Sequence, residues 1–169
     1  LVFYRGIIPF FTVFFGMLVI YRLNFFKILF ASGLHGIIYI ITFSITNVTF
    51  VVSIQNTNVS NTLIMVATAP MLSAVLGAIF LKEPPDNKTW ISILITFLAV
   101  IFIFFDSISV GNFFGDILGF ITAIGLAVGA ITIRSGKAKN LVPAAVVGKL
   151  FVALFALFFI ESFILVGTD

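Results

Sequence analysis

The stretch SNTLIMVATAPMLSAVLGAIFLKEPP, residues 60–85, decides the class of protein to which this chain belongs. It holds no charged residue between Asn61 and Leu81, and Pro70 lies near the middle of this apolar run. A helix needs about 20 predominantly apolar residues to cross a bilayer core. A proline inside a helix removes one backbone hydrogen bond and frees the carbonyl four residues earlier. The stretch therefore predicts a membrane-spanning helix that is interrupted near the bilayer midplane.

The whole chain has the composition of a membrane protein. Of its 169 residues, 62% are hydrophobic and 9% are charged, and the mean hydropathy is +1.31. Soluble domains carry about 25% charged residues, so this chain has too little polar surface for a water-soluble globule. Cys is absent and His35 is the single histidine, which argues against disulfides, metal clusters and bound cofactors. The net charge of +3 comes without a basic stripe or base-stacking platform, so we expect no nucleic-acid partner.

Six apolar runs are long enough to be transmembrane helices, and their connecting loops alternate in charge. Because a lipid-exposed segment must satisfy its own backbone hydrogen bonds, each run is predicted to be a helix. Lys and Arg occur around the first, third and fifth loops and not in the second or fourth, which places the odd-numbered loops in the cytoplasm. The fold class predicted is an all-α polytopic membrane helix bundle. The predicted spans are 6–21, 31–53, 59–81, 90–106, 113–134 and 143–165.

Residues 53–107 resemble the fourth and fifth helices of the EamA-type permeases, a family of the drug/metabolite transporter superfamily. The resemblance rests on a small, polar helix start at 57–62, Ala69-Pro70, the helix end at 80–83 and Trp90 at the start of the next helix. FYRGIIPF, residues 3–10, resembles the second helix of the family. FFGDILGFITAIGLAVGAITIRSGK, residues 113–137, resembles the start of its second repeat. Lys82 departs from the family pattern, which usually has Gly before the Glu.

The resemblance implies a domain organisation. The family has ten helices in two inverted five-helix repeats, and the chain would hold helices two to seven. Residues 1–112 would then be a first repeat without its first helix, and 113–169 the start of a second repeat without its last three helices. We expect the missing helices of the same protein, or a second copy, to complete the bundle. The implied location is the cytoplasmic (inner) membrane of a bacterium, with the lipid bilayer and a small-molecule solute as partners.

Polar residues on the second span are candidates for a solute path. From Ser32 to Ser53 they recur every three or four residues, which places them on one face of a helix. A polar face in a membrane points into the bundle or a wet path. The alternative is interhelical hydrogen bonding, worth about 0.6 kcal/mol per contact. With the polar residues around the Pro70 interruption, the candidate substrate path comprises Tyr39, Thr42, Thr46, Asn47, Thr49, Thr68 and Pro70.

Two basic residues near helix starts could attract an anionic group of a solute. Arg5 and Lys149 occupy early positions in helices that inverted repeats would relate. Snorkelling of each side chain to the membrane interface is the alternative.

The remaining polar and small residues are interpreted as structural. Gly115 and Gly119 lie four apart, which lets helices approach closely. Asp116 is placed at the outer interface, where a carboxylate favours the positive end of a helix dipole. Glu83 is predicted to pair with Lys88 or to be solvated.

Three function classes are open to a membrane protein of this composition. The first is a secondary transporter of small organic metabolites with alternating access around a site at the midplane between inverted repeats. The second is a non-transporting membrane scaffold or assembly subunit, which has less reason to keep a polar stripe. The third is a membrane enzyme, which would need a nucleophile with a base or a metal cluster. One His, no Cys and no paired acids at mid-depth argue against an enzyme.

Overall fold

The computed structural model describes residue 11 and residues 15–16, 24–110, 112–136 and 140–164. These residues form helices joined by short connections. In chain order the helices are α1 (Asn24–Asn56), α2 (Val59–Val66), α3 (Ala69–Leu76), a π-helical turn (Gly77–Leu81), α4 (Asn87–Val110), α5 (Phe113–Ser135) and α6 (Val142–Ile164).

Membrane-crossing segments dominate the described residues, which confirms the all-α polytopic class. Four segments are long and apolar enough to cross a bilayer, and Val142–Phe155 is a shorter apolar helix. The predicted first span, 6–21, lies outside the described residues except at 11, 15 and 16, which are helical. The four segments are Asn24–Asn56, Val59–Leu81, Asn87–Phe105 and Phe113–Ser135.

The second span differs from its prediction at its start. Helix α1 begins at Asn24 and not at residue 31, so the loop expected around Lys27 is helical. No Gly or Pro interrupts the chain between Asn24 and Ser32, and the helical path breaks only at Gly33, with φ 55° and ψ −137°. Glycine adopts this left-handed φ without the steric penalty that a Cβ would bring. The break therefore occurs at Gly33, and the loop prediction was wrong.

Contacts divide the chain into two compact units, the first of which contains residues 45–135. Its most enclosed helix is α5. Of an 18-residue apolar stretch of this helix 44% is buried, against 6% of a stretch of the same length in α4. Helix α5 packs against α2, α3 and α4. On the α4 side, Phe104 meets Phe113 and Phe120 edge to face, with ring centroids 5.8 and 6.0 Å apart. The large apolar side chains that α4 leaves exposed suit contact with lipid.

The second unit combines the part of α1 up to Ser44 with α6. Phe25 and Val146 form its buried core, and Leu29 and Val147 pack against it. The predicted repeat boundary at 112/113 falls inside the 45–135 unit, and the division into repeats stays a prediction.

Candidate functional site

The interruption predicted at Pro70 is present. Helix α2 ends at Val66 and α3 begins at Ala69, with Pro70 in its first turn. The backbone N–H of Thr68 and its hydroxyl both donate to the carbonyl of Met65, at 3.0 and 2.6 Å. Thr68 is buried, and Met65 is fully enclosed. The hydroxyl of Thr68 thus satisfies a backbone carbonyl where the regular α-helical ladder is interrupted.

A line of hydroxyl contacts joins α1 to α2 and α5. Ser53 Oγ lies 2.8 Å from Thr62 Oγ1 and donates to the carbonyl of Gly115 at 2.7 Å. A hydroxyl has one proton to give, so Thr62 donates to Ser53. Farther along the same helices, Thr49 Oγ1 lies 2.8 Å from Thr122 Oγ1. Within the 45–135 unit the polar face of α1 therefore makes interhelical hydrogen bonds at Thr49 and Ser53.

Asp116 stands at the end of this line and is fully buried. Thr57 Oγ1 donates to Asp116 Oδ1 at 2.5 Å, and Asn61 Nδ2 donates to Oδ2 at 3.2 Å. The sequence predicts Asp116 at the outer interface as a partner of the helix dipole. The structure keeps it in the first turn of α5 but encloses it between side chains of the α1–α2 connection and α2. No charged residue lies near that connection in the sequence, so nothing there indicates a partner. The contact of Thr57 and Asn61 with Asp116 was therefore not predicted.

Two glycines allow the buried line to form. A Cβ at Gly115 would lie 2.6 Å from the carbonyl carbon of Asn56, and one at Gly119 would lie 3.1 Å from Ser53 Oγ. The first distance is shorter than any ordinary contact, so α5 can approach the end of α1 only with glycine there. The predicted close approach at this GxxxG pair is confirmed.

The opposite end of α5 carries an exposed ion pair. Arg134 pairs with Glu83, and both side chains are about half exposed (52% and 58%). Glu83 follows the π-helical turn, whose first carbonyl, that of Gly77, accepts from the N–H groups of Lys82 and Glu83. Glu83 thus pairs with Arg134 and not with Lys88, because the pairing depends on how α5 packs against the turn, and its side chain also stays in part exposed, as the alternative prediction had it.

In the other unit, Lys149 lies on α6 with its ammonium nitrogen 5.2 Å from the ring centre of Phe43. Tyr39 stacks on the same ring, with centroids 5.8 Å apart. Helices α1 and α6 approach closely here, since a Cβ on Gly148 would lie 2.9 Å from Phe43 Cδ1. Ser44 Oγ donates to the carbonyl of Gly148 at 3.2 Å. The cation thus lies against an aromatic pair, an arrangement that is electrostatically favourable.

A protein-family model, described as the EamA-like transporter family, matches residues 1–105 of the chain. The chain belongs to the EamA-like transporter family. No curated protein and no solved structure matches it. Membership makes it an integral membrane protein of the transporter class and supports the prediction that it is not an enzyme.

Family membership gives a physical meaning to the departure at Lys82. The sequence resemblance placed a Gly at this position in other EamA-type proteins. Lys82 has φ 56° and ψ 34°, the left-handed conformation that ends the π-helical turn. Glycine adopts this conformation without strain, whereas a side chain makes it less favourable. This EamA-like chain keeps the turn with a residue that is poorly suited to it.

The candidate path residues of this EamA-like chain lie in different surroundings. Thr42 donates to the carbonyl of Ile38 at 2.7 Å. Thr46 is buried, Asn47 is half-buried, and Pro70 is exposed. Arg5 lies outside the described residues. None of these placements tests a role in transport, and the assignment of the path stays a prediction. In the part of the chain that the structure describes, no group of three His, Cys, Asp or Glu residues could hold a metal ion.

Proposed function

We propose that the protein is a secondary transporter of small organic metabolites that works by alternating access around a site near the bilayer midplane. Membership of the EamA-like family is the observation that carries this proposal. The interruption at Pro70 supports it, because transporters build their sites where a helix is broken at mid-depth. It divides the Val59–Leu81 span near its middle.

The solute path proposed in the 45–135 unit runs along the polar face of α1 and the interruption. Thr46, Asn47 and Thr49 lie on α1, and Thr68 and Pro70 lie at the junction of α2 and α3. In the conformation described, the hydroxyl of Thr49 is hydrogen-bonded to Thr122 of α5, so it serves to hold the two helices together. A transporter changes its helix contacts during the cycle, so the same hydroxyl can meet solute in another conformation.

In the other unit, Tyr39 and Thr42 lie on α1, and Lys149 on α6 could attract an anionic group of a solute. The ammonium group lies beside the ring of Phe43 on an apolar helix that corresponds to the predicted span 143–165. An ionisable side chain at such a place is a functional-site hypothesis by default. Arg5 is proposed to act in the same way. The double variant Arg5→Gln/Lys149→Gln should lose transport of acidic solutes and keep that of neutral ones, and unchanged transport of acids would remove the hypothesis.

The proposed location is the cytoplasmic membrane of a bacterium, with the basic loops inside. Arg134 and Glu83, which flank two of these loops, pair with each other. Their pairing agrees with loops three and five lying on one side of the membrane.

A scaffold or assembly subunit is the alternative, and one variant separates the two functions. The intact protein is reconstituted in liposomes loaded with a metabolite extract, and exchange with an isotope-labelled extract is followed by mass spectrometry. The triple variant Thr42→Val/Thr46→Val/Asn47→Leu should assemble and lose exchange. The matched control Ser92→Ala/Thr96→Val removes hydroxyls from the exposed side of α4 and should keep it. Equal exchange by wild type and triple variant would contradict the path, and no exchange by folded wild type would favour a scaffold.

A further inference from the structure

Helix α1 is longer than a membrane span needs. It runs from Asn24 to Asn56, and as one straight helix it would rise about 50 Å. The hydrocarbon core of a bilayer is about 30 Å thick. The backbone leaves the helical path at Gly33, and residues 34–56 alone account for about 34 Å of helical rise. The segment before the break, residues 24–32, which we call the elbow segment, is therefore not needed to cross the core.

Contacts with α6 show that the elbow segment does not continue the axis of the span. Ser44 donates to the carbonyl of Gly148 at 3.2 Å. Phe25 forms a buried cluster with Val146. These two α6 residues are about 3 Å apart along their helix axis, whereas Phe25 and Ser44 would be about 28 Å apart in a straight α1. The chain therefore turns back at Gly33, and the elbow segment lies beside the first turns of α6.

The contact with α6 also indicates the depth of the elbow segment. Helix α6 begins at Val142, so Val146 lies about 6 Å along the axis from its start. A helix that lies in a membrane interface buries its apolar face by about 5–10 Å. The loop before α6 is basic, which predicts the cytoplasmic side. With the start of α6 at the membrane boundary, the elbow segment has the depth of an interfacial helix in the cytoplasmic leaflet.

The exposed face of the elbow segment combines aromatic rings with a positive charge. Phe26 and Phe30, one turn apart, are 59% and 80% exposed. Lys27, between them in sequence, is exposed as well. Large apolar rings are unfavourable in water, and an ammonium group is unfavourable in the hydrocarbon core. Both are accommodated where the acyl chains meet the headgroups.

The charge of the surrounding sequence favours one kind of lipid. Residues 1–44 and 136–160 contain Lys and Arg but no Asp or Glu, so these stretches offer no acidic partner to Lys27. At the start of α4, by contrast, Lys88 follows Glu83 and Asp86 in sequence. The phosphate of an anionic lipid supplies the negative charge that Lys27 lacks, and basic residues at the cytoplasmic surface attract such lipids. The same face of a second copy would bring another lysine and no acid.

We propose that the elbow segment is an interfacial helix that binds the headgroup of an anionic phospholipid in the cytoplasmic leaflet. Lys27 holds the phosphate, and the rings of Phe26 and Phe30 lie against the acyl chains. Gly33 is a positioning residue, because its left-handed φ of 55° lets the chain turn into the interface. The site shares no residue with the proposed solute path, and its test needs no solute.

Quenching of tryptophan fluorescence by brominated lipids tests the site in the intact protein. Phe30→Trp is combined with Trp90→Phe, so that the elbow segment carries the single tryptophan. The protein is reconstituted in phosphatidylcholine with a small fraction of brominated phosphatidylglycerol or, in a parallel sample, of brominated phosphatidylcholine. We expect the anionic lipid to quench at an about fivefold lower fraction, which is the affinity gained from one basic residue near the surface. Bromines near the headgroup should quench more than bromines at the chain ends.

Variants of the reporter protein assign the preference to Lys27. Lys27→Gln should keep the quenching and lose the preference for the anionic lipid, whereas Lys27→Arg should retain it. Lys88→Gln is the matched control, since it removes an exposed lysine from the other unit and should leave the preference unchanged. Gly33→Ala favours a straight helix that leaves the membrane, so quenching by both lipids should fall.

Three results would overturn the proposal. Equal quenching by the two lipids would show that the elbow segment does not select anionic headgroups. A preference that persists in Lys27→Gln would show that another group selects the lipid. Quenching by neither lipid in the folded protein would show that protein covers this face, as in a contact between two copies.

Discussion

The two ends of α5 hold their neighbours by opposite means. At the first turn, Asp116 is fully buried and its oxygens accept from Thr57 and Asn61. In the last turn, Arg134 pairs with Glu83, and both side chains are about half exposed. A buried polar contact is expensive to break, because the remaining partner loses its hydrogen bond without gaining water. When an exposed ion pair breaks, both charges return to water, so such a pair contributes only about 0–1 kcal/mol to stability.

Charge alone does not decide how much a polar contact contributes to the stability of this protein. The exposed end has two full charges and should matter little for stability. The buried end has a single charge, two neutral donors and two glycines that let the backbones approach. We therefore expect sensitivity to substitution to be concentrated at the Asp116 end.

The largest effect is expected from Gly115→Ala. Its Cβ would lie 2.6 Å from the backbone of Asn56, so α5 would have to move away from α1. Overpacking of this kind destabilises by about 2 kcal/mol, and the melting temperature in detergent should fall clearly. Gly77→Ala is the control, since its nearest neighbours would be 3.6 Å away and its stability should be nearly unchanged. Equal melting temperatures for the two variants would show that the close approach is not tight.

Truncation of the buried carboxylate should come next. Asp116→Ala leaves Thr57 and Asn61 without the oxygens that they bond, and hydrogen bonds to charged groups are worth about 2 kcal/mol. Glu83→Ala is the matched truncation at the other end of α5. Thermal unfolding should show a several-fold larger loss for Asp116→Ala than for Glu83→Ala. The reverse order would contradict the comparison between the two ends.

A smaller, opposite effect is expected at Lys82. At the left-handed φ of 56° found here, lysine should be less favourable than glycine by about 1 kcal/mol. Lys82→Gly should therefore raise the melting temperature slightly. Lys82→Ala removes the same charge and keeps a Cβ, so it should bring no increase. A rise with both variants would assign the effect to charge and not to backbone conformation.

The ion pair between Glu83 and Arg134 should contribute least to stability. A double-mutant cycle with Glu83→Gln and Arg134→Gln is expected to give a coupling of about 0.5 kcal/mol. Concentrated salt should abolish it, because exposed charges are screened. A coupling that is large and independent of salt would mean that the pair is shielded from water in the membrane-embedded protein.

Acid should test one further contact outside the membrane spans. The side-chain hydroxyl of Thr89, followed by its backbone N–H, holds the pKa of Asp86 below its ordinary value. Since the folded value is lowered, the stabilisation of the α4 start is present above the ordinary pKa and is lost as pH falls through the lowered one. Thr89→Ala should shift the acid-induced decrease in melting temperature to higher pH. An unchanged acid profile would show that the hydroxyl does not control this titration.

The lengths of the apolar runs in the sequence predict much of the fold, but they predict little of the candidate site. The span predicted at 59–81 and the α5 span predicted at 113–134 agree with the structure to within a residue, because charges and polar turns delimit them. The Pro70 interruption also followed from one residue. The Gly33 break was missed, since a single glycine in an apolar run gives no sign of its φ. The partners of Asp116 and Glu83 are 51 to 59 residues away in sequence, and only helix packing brings them together.

Transport of small organic metabolites across a membrane is the function that we propose for this member of the EamA-like family. The most direct test is saturable exchange of labelled metabolites by the intact protein in liposomes, measured one compound at a time. We expect at least one compound whose entry saturates and is inhibited by its unlabelled form. Exchange equal to that of protein-free liposomes for every compound in the extract, with the protein shown to be folded, would contradict it.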